Sequence, residues 1–228
     1  PSGYVDLEDL DLPDPVSRYF EAVLEDGDPL VDTVRIRQRG QFRLGGPDGR
    51  WCPFSATQHF ATDPPGFVWD ARIDVWPFIP ARVLDAYVSG EGVLRARLCS
   101  VFPVASAGPS GQMNEAELLR YLAEGVWFPT ALLPVRGVNW EPIDSTAARA
   151  TITDGEVSAT VIFHFDENDL IDRVTGERYR QEDDSYASWF GQYSKEEVEG
   201  WINLCEQDKG TIGDKVDKSE SKVPTELM

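Results

Sequence analysis

The chain has 228 residues, 41% of them hydrophobic, with seven tryptophans, and that composition excludes a disordered polymer. No run approaches the ~18 apolar residues of a membrane-spanning helix. Forty acidic residues against 21 basic ones give a net charge of −19, which argues against nucleic acid and anionic membranes as partners and for a solubilising acidic surface.

Residues 13–24 read as an N-terminal helix. Pro13 opens it, Val16, Tyr19, Phe20, Val23 and Leu24 recur at helical spacing, and Gly27 ends it. Residues 33–44 alternate as a strand, with Val34, Ile36, Gly40, Phe42 and Leu44 on one face, interrupted by Gln38. Arg35, Arg37, Arg39 and Arg43 form a cationic ladder with Gln41 on the other face. Residues 51–62 give a second strand, bent at Pro53, and 67–76 a third, with Phe67, Trp69, Ala71, Ile73 and Val75 inward. The acidic outer face of that third strand is expected to pair with the arginine ladder across a sheet. Strands follow at 82–89 and 92–101, then a Pro-, Gly- and Ser-rich loop at 103–112.

Residues 114–127 read as the main interior helix. Asn114 to Glu117 resembles a capping box, and Leu118, Leu119, Leu122 and Val126 stripe one side. The helix exits into Trp127-Phe128-Pro129-Thr130-Ala131-Leu132-Leu133-Pro134, an aromatic hinge bracketed by prolines. Four more strands, at 137–142, 147–153, 157–165 and 170–179, complete nine. Short turns between successive strands require antiparallel pairing, and so many twisted strands curl. The fold class is therefore α+β, mostly β: a curled antiparallel sheet, an open half-barrel, with one helix across its concave face and an N-terminal helix.

All 16 arginines lie at or before Arg180, and all five lysines at or after Lys195. The switch divides the chain into a single β-rich domain, 1–194, and a divergent Lys-containing tail, 195–228, flexible from about residue 208 on composition. An acidic domain without Lys is also halophile-like. Cys52, Cys99 and Cys205 have no metal spacing, and Cys52 and Cys99, in apolar strand-like contexts, read as small buried hydrophobes. No basic segment followed by an apolar one opens the chain, which points to a cytoplasmic address. The first residue is Pro1 rather than Met, which leaves room for an upstream segment.

The aromatic set Trp69, Trp76, Trp127, Phe128 and Trp140 is the candidate lining of a ligand cavity, with an ordinary aromatic core as the alternative. Arg120 and Glu124 are spaced as an ion pair on one helical face. The sharper reading makes Glu124 a catalytic carboxylate, acting with Asp85 or with His164. There is no metal-ligand spacing, phosphate loop, dinucleotide fingerprint or nucleophile elbow, so no metal and no cofactor is expected. The leading functional expectation is non-catalytic binding of a hydrophobic small molecule or lipid between the sheet and the 114–127 helix. An enzyme of hydrolase or isomerase type and a protein-interaction module presenting the arginine ladder are the alternatives.

Several segments together resemble a family of prokaryotic proteins that carries no assigned activity. They are Leu12-Pro-Asp-Pro-Val-Ser-Arg-Tyr-Phe20, Gly66-Phe-Val-Trp-Asp-Ala71, Asp85-Ala-Tyr-Val-Ser-Gly-Glu-Gly92, Leu119-Arg-Tyr-Leu-Ala-Glu124 and Trp127-Phe-Pro-Thr-Ala-Leu-Leu-Pro134. The resemblance spans about residues 12–180 and implies further strands after Tyr193, where this chain instead turns Lys-rich. More loosely, the order of strands around a mid-chain helix is similar to the half-barrels of lipoprotein carriers, an analogy of fold alone.

Overall fold

The computed structural model describes residues 3–8, 10–44, 49–180 and 184–193. The 195–228 segment and Cys205 lie outside the described residues. Helix α1 (Asp14–Val23) starts after Pro13 and buries Val16, Tyr19, Phe20 and Val23. Six strands then form a meander: β1 (Thr33–Leu44), β2 (Arg50–Thr62), β3 (Pro65–Trp76), β4 (Ile79–Val88), β5 (Glu91–Leu98) and β6 (Phe102–Ala107). Helix α2 (Gly111–Glu124) follows. A second meander contains β7 (Val138–Asp144), β8 (Ala147–Asp154), β9 (Val157–Phe165), β10 (Ile171–Arg180) and β11 (Ser185–Gln192).

The fold class is α+β and mostly β, antiparallel throughout, with a helix laid on a sheet. The strands divide into two sheets, β1-β2-β3-β4-β5-β6 and β11-β10-β9-β8-β7, and neither closes into a barrel. Between them the chain runs through α2 and three 3-10 turns, Gly125–Trp127, Pro129–Leu132 and Pro134–Arg136. Two of these turns begin with a proline, which has no N–H to give to a ladder. Thr130 Oγ1 accepts from the Val31 amide at 3.1 Å, and Arg136 Nη2 donates to Asp32 at 2.9 Å, so this segment is tied to the approach to β1.

Helix α2 packs against β3, β4 and β5 on one side and β9 and β10 on the other. Every residue from Glu117 to Val126 is buried. A one-sided apolar stripe therefore describes only half of this helix. Leu118, Leu119, Leu122 and Val126 belong to a core shared with Phe163, Val161 and Val174 of the second sheet. Helix α1 closes the same core, with Phe20 edge-on to Trp140 and Tyr19 against Phe165.

Four local expectations are corrected. The N-cap of α2 is Ser110, whose hydroxyl accepts from the Met113 amide at 3.1 Å. Asn114 Oδ1 is used instead by the Gly92 amide at 2.8 Å, pinning the helix to β5. The loop at 103–112 contains strand β6; its Pro103 is tolerated because β6 is an edge strand. The arginine ladder of β1 does not meet the acidic face of β3, because β2 lies between them. Asp70 pairs with Arg82 of β4 at 3.1 Å, and Asp74 with Arg72 at 3.1 Å. Cys52 is buried as expected, but Cys99 is exposed in the turn before β6.

Gly92 marks the closest approach of α2 to the first sheet. A Cβ there would lie 2.7 Å from the Met113 carbonyl oxygen and 3.0 Å from Glu117 Cγ. Backbone cannot yield as a side-chain tip can, so Gly92→Ala is expected to lower the stability measured by urea unfolding by about 1–3 kcal/mol.

Candidate functional site

Glu117, Arg120 and Glu124 share one face of α2 because they are three and four residues apart. That face meets a transverse row of the first sheet in which Gln58, Trp69 and Asp85 stand side by side on β2, β3 and β4. All six are buried. The Arg120 guanidinium lies 5.0 Å from the ring centre of Phe67 and 5.3 Å from that of Trp69. It donates through Nη1 to Asp85 Oδ2 and through Nε to Glu124 Oε1, the latter at 2.9 Å. Gln58 Nε2 donates to the other Glu124 oxygen at 2.6 Å. Gln38 Nε2 donates to Gln58 Oε1 at 3.3 Å, and the Trp69 indole donates to Gln38 Oε1 at 2.7 Å. On the far side Arg178 of β10 donates to Glu117 Oε1 at 2.9 Å. The network thus spans the first sheet, the helix and the second sheet.

Two oxygens in it, Asp85 Oδ1 and Glu117 Oε2, are buried and accept no hydrogen bond. Among the described residues, with all groups ionised, three carboxylates face two guanidiniums, one negative charge too many for a dry interior. Burial pushes the Glu117 carboxyl up to about 8, and the Asp85 charge adds to it, against the pull of Arg178 and Arg120. A proton on Glu117 at neutral pH balances the cluster. Burial also raises Glu124, opposed by Arg120 and by the Gln58 hydrogen bond. For Arg120 burial works against the charge, but Glu124, Asp85 and Glu117 outweigh it and hold the guanidinium protonated.

The candidate residues are distributed unevenly. Glu124 and Asp85 meet on the Arg120 guanidinium. His164 does not join them: it lies on the outer face of the second sheet, hydrogen-bonded to Thr175 Oγ1 at 3.0 Å, and burial and Arg173 lower its pKa. Trp69 belongs to the polar network. Trp127 and Phe128 gather around Phe60, at 6.4 and 4.6 Å between ring centres. Trp140 packs on the second sheet and donates to the Leu132 carbonyl at 2.9 Å. Trp76 is exposed at the far end of β3. Sequence reasoning missed Gln58, Glu117 and Arg178. The available signal was a polar residue on the inward phase of a strand: Gln58 follows Cys52, Phe54 and Ala56, and Arg178 follows Val174 and Gly176. Among the described residues no three His, Cys, Asp or Glu side chains are placed to hold a metal ion.

The molecule is thus an α+β, mostly β protein in which a helix with a charged stripe is enclosed between two antiparallel sheets. The chain belongs to the family described as a family of unknown function (DUF6920), which matches residues 10–207. No curated protein and no solved structure matches it. Three of the segments quoted for the resemblance converge on the buried network, through Phe67 and Trp69, through Asp85 and Gly92, and through Arg120 and Glu124.

The Glu117 proton makes stability depend on pH. Unfolded, the carboxyl titrates near its ordinary value of 4.5; folded, near 8. Between these values the folded chain holds a proton that the unfolded chain has released. That contribution is complete below the unfolded value and is lost as pH rises through the folded one. Urea midpoints are expected to fall over this window, and Glu117→Gln to flatten the fall; an identical slope in the variant rejects the assignment. Separately, Arg120→Met strands Asp85 and Glu124 without their cation and is expected to cost about 3–5 kcal/mol in urea unfolding. Adding Asp85→Asn and Glu124→Gln to that variant should recover part of the loss.

Proposed function

We propose that the protein is a binding protein for a small amphiphilic molecule, acyl- or ring-bearing with one polar end, taken up between the first sheet and α2. One observation carries the reading. Beside the polar row Gln58-Trp69-Asp85 runs a row of small side chains, Ala56, Ala71, Val83 and Ala96, with Gln38 at its β1 end. Beyond it stand Phe54, Ile73, Ala81 and Leu98. These side chains are smaller than Phe54, Ile73 and Leu98 on the one hand and Gln58 and Trp69 on the other, and an apolar strip of that kind suits a run of methylenes. The donors of Gln38, Gln58 and Arg120 at its border suit the polar end. Burial of the apolar part supplies the affinity, at about 0.8 kcal/mol per methylene. The 3-10 turns from Gly125 to Arg136 have poorer hydrogen-bond geometry than an α-helix, and they act as the gate beside Trp127.

A second reading draws on the unpartnered oxygens Asp85 Oδ1 and Glu117 Oε2. An acid–base enzyme would use the carboxyls around Arg120, with Glu124 and Asp85 as the charged pair and Glu117 as the proton donor.

Native mass spectrometry of the purified protein is expected to reveal an amphiphile that is released unchanged on denaturation. Ala96→Phe, at a half-buried position of the strip, should abolish uptake of a fluorescent fatty acid while far-ultraviolet circular dichroism is preserved. Full uptake by that variant would reject the strip as the site. Conversion of the bound molecule, lost in Glu117→Gln, would decide for the enzyme.

A further inference from the structure

The end of the first sheet opposite α2 has a different chemistry. Two tight turns meet there. The β3–β4 hairpin closes through Pro77 and Phe78, and the β5–β6 hairpin through Cys99 to Val101. The Cys99 amide donates to the Pro80 carbonyl at 2.8 Å, which holds the turns side by side. They present large apolar side chains to solvent: Phe78 is 99% exposed, Val101 68%, Phe102 66% and Trp76 60%, with Val104 and Ile79 beside them. Contiguous apolar surface of this kind is rare on a protein without a partner for it.

Phe78 adds a second oddity. Its φ is +68°, the left-handed region, at a position after Pro77 where a turn ordinarily places glycine. A bulky side chain there is strained, and this one gains nothing inside the molecule because it touches solvent all round.

The border of the patch is cationic. Arg50 stacks over Trp76 at 4.7 Å, and Arg43 over Trp51 at 5.6 Å. Arg97 stands on β5 opposite Pro103 of β6. Asp74, the acid nearest the β3–β4 turn in sequence, is already bound by Arg72. The whole chain carries −19, yet between Thr33 and Ala107 nine arginines outnumber six acidic residues. Charges farther away than about 8 Å are screened at physiological ionic strength, so a surface in contact with this end meets the local arginines rather than the net charge.

We propose that this end of the first sheet is a membrane-docking tip: Trp76, Phe78, Val101 and Phe102 enter the headgroup region of an anionic bilayer, and Arg43, Arg50 and Arg97 contact its phosphates. The chemistry favours a bilayer over a protein partner. Trp beside Arg and Pro on short turns gives amphipathic groups that settle at a lipid–water interface. The inference stands on the exposed patch and is independent of the ligand reading above.

Flotation with vesicles of phosphatidylcholine and phosphatidylglycerol tests it. The protein is expected to float with the mixed vesicles, less with pure phosphatidylcholine, and less at high salt. Phe78→Asp with Phe102→Asp should weaken binding by at least about tenfold, the loss expected from withdrawing a buried aromatic side chain. Both side chains are exposed, so the variant should keep the wild-type melting temperature. Arg50→Glu with Arg97→Glu should remove the preference for phosphatidylglycerol. Absence of flotation with either vesicle overturns the proposal, as does equal flotation by the Asp variant. Concentration-dependent self-association that Phe78→Asp abolishes, without vesicle binding, would also overturn it and make the patch an interface between copies.

Discussion

Enclosure of α2 on two sides is the constraint on which the rest of the structure depends. A helix with one wet face can leave Glu and Arg in water; this one cannot. Each charge on its Glu117–Arg120–Glu124 stripe must find its compensation inside, where an unpaired ion costs several kcal/mol. Arg120 gathers two carboxylates, Gln58 completes one of them, and Arg178 reaches across from the second sheet. A sliding of α2 by one turn would carry Arg120 away from Asp85 and Glu124 away from Gln58 and leave the charges bare. The network thus fixes where the helix sits more than it adds to stability, since hydrophobic residues of the same shape could fill the space at little cost.

The same requirement disciplines the sheet. Gln58, Trp69 and Asp85 must lie in one row for Arg120 and Glu124 to meet them, so the registers of β2, β3 and β4 are coupled to the helix. Gly92 permits the close contact, and the Asn114 side chain locks it by taking the Gly92 amide. Proton uptake by Glu117 is the remaining adjustment: among the described residues the network holds three carboxyls and two guanidiniums, and burial pushes the Glu117 carboxyl up so that it keeps a proton near neutral pH.

Much of the fold was legible in local pattern. Period-two alternation placed β1, β3 and β9 closely, and helical spacing placed α1, because each exposes one face and hides the other. The division into two sheets was not legible, since alternation marks strands without saying which neighbour each pairs with. Strand β6 escaped notice because Pro103 and its small neighbours look like a loop, and an edge strand needs neither its amide nor a buried face. At the site, the spacing of Arg120 and Glu124 revealed their pairing, and Gln38 stood out as an interruption. Arg178 could not be connected to Glu117, because 61 residues separate them and only the packing of the second sheet brings them together.

The two ends of the first sheet make opposite use of cost. At the α2 end, polar groups are buried and nearly all satisfied, so the expense of desolvation is met within the fold. At the hairpin end, apolar groups are exposed and one of them is held in a strained conformation, with no internal return. A sequence free to relieve that strain would place at position 78 glycine, as at Gly27, Gly90, Gly137 and Gly155, or a small or polar residue, as at Ser89, Ser100, Asp169 and Asp184, and a polar residue at 102. Strain that the fold does not use is an argument for a use outside it, and the proposed docking tip supplies one.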